Sequence, residues 1–129
     1  MTISTIVREF HQTFGAVIND KPDHLLMHDY ALTQMRLGLI LEEADELFQA
    51  IDARDYVETA DALGDLAYVT YGAALSLGIP LYRVVSEIHR SNMTKLGPDG
   101  KPIYRADGKI LKGPNFEPPQ LRPLLNLAP

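Results

Sequence analysis

Cysteine is absent from this chain of 129 residues, which excludes disulfides and thiolate metal sites and fits a cytoplasmic setting. No apolar run approaches the roughly 18 residues that a membrane span needs, so no membrane partner is expected. The opening residues, Met1-Thr-Ile-Ser-Thr, lack the basic start and apolar core of a signal peptide. Positive charge is also scarce: 12 lysines and arginines face 17 acidic residues, a net charge of −5. That is a poor electrostatic footprint for a nucleic-acid polymer. The hydrophobic fraction of 46% and charged fraction of 22% are those of an ordinary folded protein, and the length suits one domain.

What is abundant is acid, in one place. Nine of the 17 acidic residues fall between Glu42 and Asp65, where Arg54 is the one basic residue. Glu42 and Glu46 are four apart and Glu43 and Glu46 three apart, while Glu58, Asp61 and Asp65 follow at three and four. Such spacings share a helix face. Two antiparallel helices would set these stripes opposite each other, and the crowded carboxylates would then need solvent, basic partners or a cation. An acidic face is most often a solvated surface. Two things weigh against that here: the repetition on consecutive segments and the shortage of pairing lysines or arginines. Oxygen donors of this kind suit Mg²⁺, Mn²⁺ or Ca²⁺. An EF-hand is excluded by the missing loop pattern. A di-iron bundle would want Glu-x-x-His on two helices.

The periodicity predicts four helices. The first runs over 3–18 with Ile3, Ile6, Val7, Phe10, Phe14 and Val17 recurring, capped by Thr2 or Ser4. A turn follows at 19–23. The second spans about 28–51, with Leu32, Met35, Leu39, Leu47, Phe48 and Ile51 as a core stripe. Leu37, Ile40 and Leu41 add apolar character on further sides, as in a helix buried between neighbours or at a dimer contact. Asp55 is placed to cap a third helix ending near Gly78, with Val57, Ala60, Leu63 and Leu66 among its apolar positions. Gly78-Ile-Pro80 is a strong stop before a fourth helix over about 80–92, with Leu81, Val84, Val85 and Ile88 inward. From residue 94 the chain turns rich in Pro and Gly. Asp107-Gly108 suits a short β-hairpin near 102–112, in a tail expected to lie ordered across the bundle. The expectation is one all-α domain over 1–129: a helical core to residue 93 and a packed tail over 94–129. Eight of the 12 basic residues lie from Arg83 onward, so this end is suited to meeting anions.

Glu42-Glu43-x-x-Glu46, followed by Asp61-Ala-Leu-Gly64-Asp65-Leu-Ala-Tyr68, resembles the all-α nucleotide pyrophosphohydrolases. That superfamily includes MazG, dimeric dUTPases and phosphoribosyl-ATP pyrophosphohydrolases. Tyr68-Val-Thr-Tyr71-Gly72 and Glu87-Ile-His89-Arg90-Ser-Asn92-Met-Thr-Lys95 are closer to its MazG-like members with dUTPase character. The resemblance covers roughly residues 30–95.

It implies a four- to five-helix bundle, dimeric or tetrameric. The implied activity is Mg²⁺-dependent hydrolysis of a nucleoside triphosphate, especially a deoxynucleotide, to monophosphate and pyrophosphate, with Mn²⁺ as a substitute and nucleotide-pool cleaning as the role. Carried over by position, Glu43, Glu46 and Asp65 are metal ligands, and Glu42 is a ligand or the base that activates water. The resemblance departs at Ala62, where the family has Glu. Asp61 keeps a carboxylate beside it, with Glu58 as the alternative in a shifted register. Asn92 and Lys95 are implied to approach the nucleotide. Tyr68 and Tyr71 are candidates to stack on a base, against a core role, and His89 to contact it, against a structural role. Arg90, Lys109 and Lys112 are further phosphate candidates. His11, His24 and His28 form no metal set. Two other readings stay open: phosphoribosyl-ATP hydrolysis, and a non-catalytic helical dimerisation or nucleotide-binding module.

Overall fold

A computed structural model describes all residues from Met1 to Pro129. The fold is all-α: α1 (Ile3–Phe14), α2 (Tyr30–Asp52), α3 (Tyr56–Ser76) and α4 (Leu81–Met93), with a two-stranded hairpin, β1 (Ile103–Tyr104) and β2 (Ile110–Leu111). Two 3₁₀ turns, His24–His28 and Arg122–Leu125, were not foreseen from the periodicity. The chain forms two compact units, Met1–Pro80 and Leu81–Pro129.

In the first unit the helix starts follow local chemistry. Thr2 and Thr5 cap α1 reciprocally: the Thr5 N–H donates to Thr2 Oγ1 at 3.2 Å and the Thr2 N–H to Thr5 Oγ1 at 3.0 Å. Gly15, at φ 74°, ends α1 four residues before the expected limit. Asp29 caps α2 by accepting from the Leu32 N–H, and Asp55 caps α3 by accepting from the Glu58 N–H. The link between α2 and α3 is so short that the helices run antiparallel.

The interior between them is made of small residues. Ala50, Ala62, Gly72, Ala73 and Ala74 are buried, together with Leu32 and, from α1, Val7. Close helix packing leaves larger neighbours outside. Met35, Phe48 and Ile51, expected in the core stripe, are 49%, 68% and 54% exposed, and Val57 and Leu63 are exposed too. Periodicity locates an apolar face; it does not say whether the same chain covers it.

A polar latch joins the end of α1 to the end of α3. Ser76 Oγ and His11 Nδ1 both donate to the Val17 carbonyl, at 2.7 and 3.0 Å. Asn19 donates its side-chain amide to the Ser76 carbonyl at 2.7 Å and its backbone N–H to the Leu75 carbonyl at 2.9 Å. Since a carbonyl can only accept, the His11 proton sits on Nδ1 and leaves Nε2 with a lone pair.

In the second unit the tail packs on α4. Ser91 Oγ donates to the Glu117 carbonyl at 2.7 Å, and the Gln120 N–H donates to Glu87 Oε2 at 2.6 Å. Arg90 forks onto Glu87 at 2.7 and 2.9 Å. Together these donors hold the Glu87 carboxyl down at about 2, Arg90 contributing most. The hairpin pairs Ile103 with Leu111 and Tyr104 with Ile110 around Asp107-Gly108, as the turn chemistry predicts. Val85 and Ile88, expected inward, are 48% and 38% exposed.

Gly78 adopts φ +68°, and a Cβ there would lie 2.1 Å from the Lys21 carbonyl oxygen. Gly78→Ala therefore combines left-handed strain with a backbone clash and is expected to cost roughly 2 kcal/mol or more. Denaturant unfolding checks this; a wild-type midpoint would contradict the role assigned to the turn.

Candidate functional site

The antiparallel pairing of α2 and α3 decides which carboxylates meet. Glu43 and Glu46 lie one turn apart on α2, and Asp65 reaches them from α3. One oxygen from each of Glu43, Glu46 and Asp65 lies within 4.8 Å of the other two. Glu43 and Asp65 are half-buried and Glu46 is exposed, so the group opens to solvent on one side.

Ala62 is 3% exposed and sits in the helix seam. Asp61, beside it, is exposed and close enough to Asp65 for its charge to raise the Asp65 carboxyl. Asp61 and Glu58 also line a cleft of about 430 Å³ with Glu46, Gln49 and Asp55. Glu42 is exposed, and its charge reaches Glu43.

The electrostatics follow from crowding. Burial pushes the Glu43 carboxyl up to about 7, helped by a hydrogen bond with Glu46 and repulsion from Glu46, Asp65 and Glu42. Burial also raises Asp65, with the Asp61 and Glu46 charges behind it. Glu43 Oε2 is buried and has no hydrogen-bond partner. An orphaned carboxyl oxygen beside two further acidic side chains fits a hard divalent cation, which takes oxygen ligands and relieves the repulsion.

Tyr68 is half-buried with its ring edge-on to Phe10 at 5.7 Å, and Tyr71 is half-buried on α3. His89 and Asn92 are exposed on α4, and Lys95 is half-buried just beyond it. Arg90 is engaged by Glu87 and Glu117. Lys112 lies over the Phe116 ring at 4.7 Å, and Lys109 is exposed.

Two buried basic residues were not among the site candidates. Arg36 and His11 are 6% and 2% exposed and both lie against Gly72. A basic residue seven before Glu43, inside the apolar run of α2, was the available signal. Burial lowers the pKa of both, and the Arg36 charge lowers His11 further.

An all-α protein that converges three carboxylates between two antiparallel helices offers a centre for hard-cation chemistry. Residues 7–92 match phosphoribosyl-ATP pyrophosphohydrolase. The chain belongs to that family, within the all-α nucleotide pyrophosphohydrolase superfamily. It is also 40% identical over 76 residues to the uncharacterized protein L479 of Acanthamoeba polyphaga mimivirus. That stretch is 58% of this chain and 30% of the viral protein.

With a folded pKa above its ordinary value, Glu43 destabilises the metal-free protein progressively as pH rises from about 4.5 to 7. Glu43→Gln removes that loss. Its melting temperature relative to wild type is therefore expected to be higher at pH 7.5 than at pH 5, and a divalent cation should stabilise wild type alone. A pH-independent difference would refute the assignment.

Proposed function

We propose that this chain hydrolyses nucleoside triphosphates, deoxynucleotides above all, to the monophosphate and pyrophosphate, with Mg²⁺ as cofactor and Mn²⁺ as a substitute. The observation carrying this is the convergence of Glu43, Glu46 and Asp65 around a buried, unpartnered Glu43 oxygen. A triphosphate carries about four negative charges, which this acidic protein would repel without a bridging cation. When bound, Mg²⁺ supplies positive charge against the phosphate oxygens.

The chain's own residues divide the remaining work. Glu43, Glu46 and Asp65 hold the cation, with Asp61 as a fourth carboxylate beside them and Glu58 or Glu42 available as further oxygen donors. Glu42 or Glu43 accepts the proton of the attacking water. The water oxygen bonds to a phosphorus, the bridging P–O bond breaks, and pyrophosphate leaves. Glu42 suits the base role better, being exposed beside the three-carboxylate group, whereas a cation held by Glu43 would suppress that carboxyl's affinity for a proton. Asn92, Lys95, His89 and Tyr71 contact the nucleotide; Tyr68 is better assigned to packing against Phe10.

The Tyr68–Gly72 and Glu87–Lys95 stretches favour a MazG-like member acting in nucleotide-pool cleaning in the cytoplasm. A homodimer or homotetramer fits the exposed apolar side chains of α2: Met35, Leu37, Leu41, Phe48 and Ile51. The family match itself favours a second reading, hydrolysis of phosphoribosyl-ATP.

Product analysis separates these. Purified protein with Mg²⁺ is offered ribo- and deoxynucleoside triphosphates and phosphoribosyl-ATP. Monophosphate and pyrophosphate are expected from a triphosphate, falling on the order of 100-fold or more in Glu46→Ala. Turnover of phosphoribosyl-ATP alone selects the second reading. No turnover of any substrate with Mg²⁺ or Mn²⁺ refutes both and leaves a binding module.

A further inference from the structure

Two buried side-chain atoms in this chain have no hydrogen-bond partner: Glu43 Oε2 and Arg36 Nε. Both residues belong to α2, seven apart, so their backbones share one face with a rise of about 10 Å between them. Their counterparts on α3 keep the same interval, Asp65 near Glu43 and Gly72 against Arg36. The seam thus carries an anionic group and a cationic group, each unpaired and too far apart to pair together.

A buried guanidinium without a carboxylate is costly, and proteins retain one where an anion completes it. Arg36 is in none of the chain's ion pairs. Its neighbour His11 has no negative charge to offer, since Nδ1 is committed to Val17 and Nε2 is a bare lone pair. Gly72 lets both side chains lie close against α3: a Cβ there would stand 3.2 Å from Arg36 Nη1 and 3.0 Å from His11 Nε2.

We infer that Arg36 is an anion-binding residue that takes the end of a polyphosphate lying away from the carboxylate group, the far phosphate of the departing pyrophosphate. This rests on the proposed function, and it extends the site to a cation-holding end and an anion-holding end on one helix pair. A guanidinium forks onto two phosphate oxygens, which a lysine cannot reproduce.

The test uses the full chain and titrates pyrophosphate in the presence of Mg²⁺ by calorimetry, with Mg²⁺ alone as reference. Arg36→Met preserves bulk and removes charge; Arg36→Lys retains charge without the fork. Pyrophosphate affinity is expected to fall at least tenfold in Arg36→Met and less in Arg36→Lys, with Mg²⁺ affinity unchanged in both. The Arg36 Nε–H resonance of wild type should shift with Mg²⁺ and pyrophosphate, which serves as the readout should a variant misfold. Wild-type affinity in Arg36→Met, or an unmoved resonance, overturns the inference. Triphosphate turnover with an unchanged KM in Arg36→Met overturns it while the proposed function stands. A wild type that turns over nothing yet binds pyrophosphate through Arg36 supports the inference and refutes the function.

Discussion

The antiparallel contact between α2 and α3 is the constraint on which the first unit depends. Its seam is lined with alanine and glycine because two helix backbones come close only where side chains are small. That closeness brings Glu43, Glu46 and Asp65 within reach of one cation-sized space. It also makes the repulsion severe, since carboxylates a few ångströms apart and partly out of water cannot all be ionised cheaply. The fold stores this tension as a raised proton affinity at Glu43 and Asp65.

Stability and site chemistry therefore oppose each other along the same helices. A core this rich in small residues buries few large side chains, and the apolar flanks of α2 and α3 remain exposed in the single chain. Elsewhere, stabilisation comes from directed polar contacts. Val17, Asn19 and Ser76 tie α1 to the end of α3, and Gly78 lets the chain pass the Lys21 carbonyl. In the second unit, Glu87 performs a comparable task, gathering Arg90 and the Gln120 N–H so that the tail lies against α4.

Ala62 illustrates how sequence and structure divide the problem. As a string, the chain loses a carboxylate at this position, which raises doubt about the site. In the fold, Ala62 is a buried contact of the helix seam, and the neighbouring Asp61 keeps a carboxylate whose charge reaches Asp65. The three-carboxylate group assembles without a carboxylate at 62. Arg36 presents the reverse case. Its place inside an apolar run was visible, but its lack of a partner became evident only once α3 and α1 closed around it.

The sequence by itself determined the four helices, the caps at Thr2 and Asp55, the stop at Gly78 and the hairpin turn at Asp107-Gly108. These depend on contacts within a few residues, where propensity and side-chain chemistry act directly. It also determined which acids share a helix face, because 3.6 residues per turn is a local property. Only the tertiary structure decided that Glu43, Glu46 and Asp65 converge while Glu58 lines the adjoining cleft, and that Met35, Phe48 and Ile51 stay outside. Those outcomes depend on the register of one helix against another. That register is set by the sizes of all the side chains in the seam at once, and no single position states it.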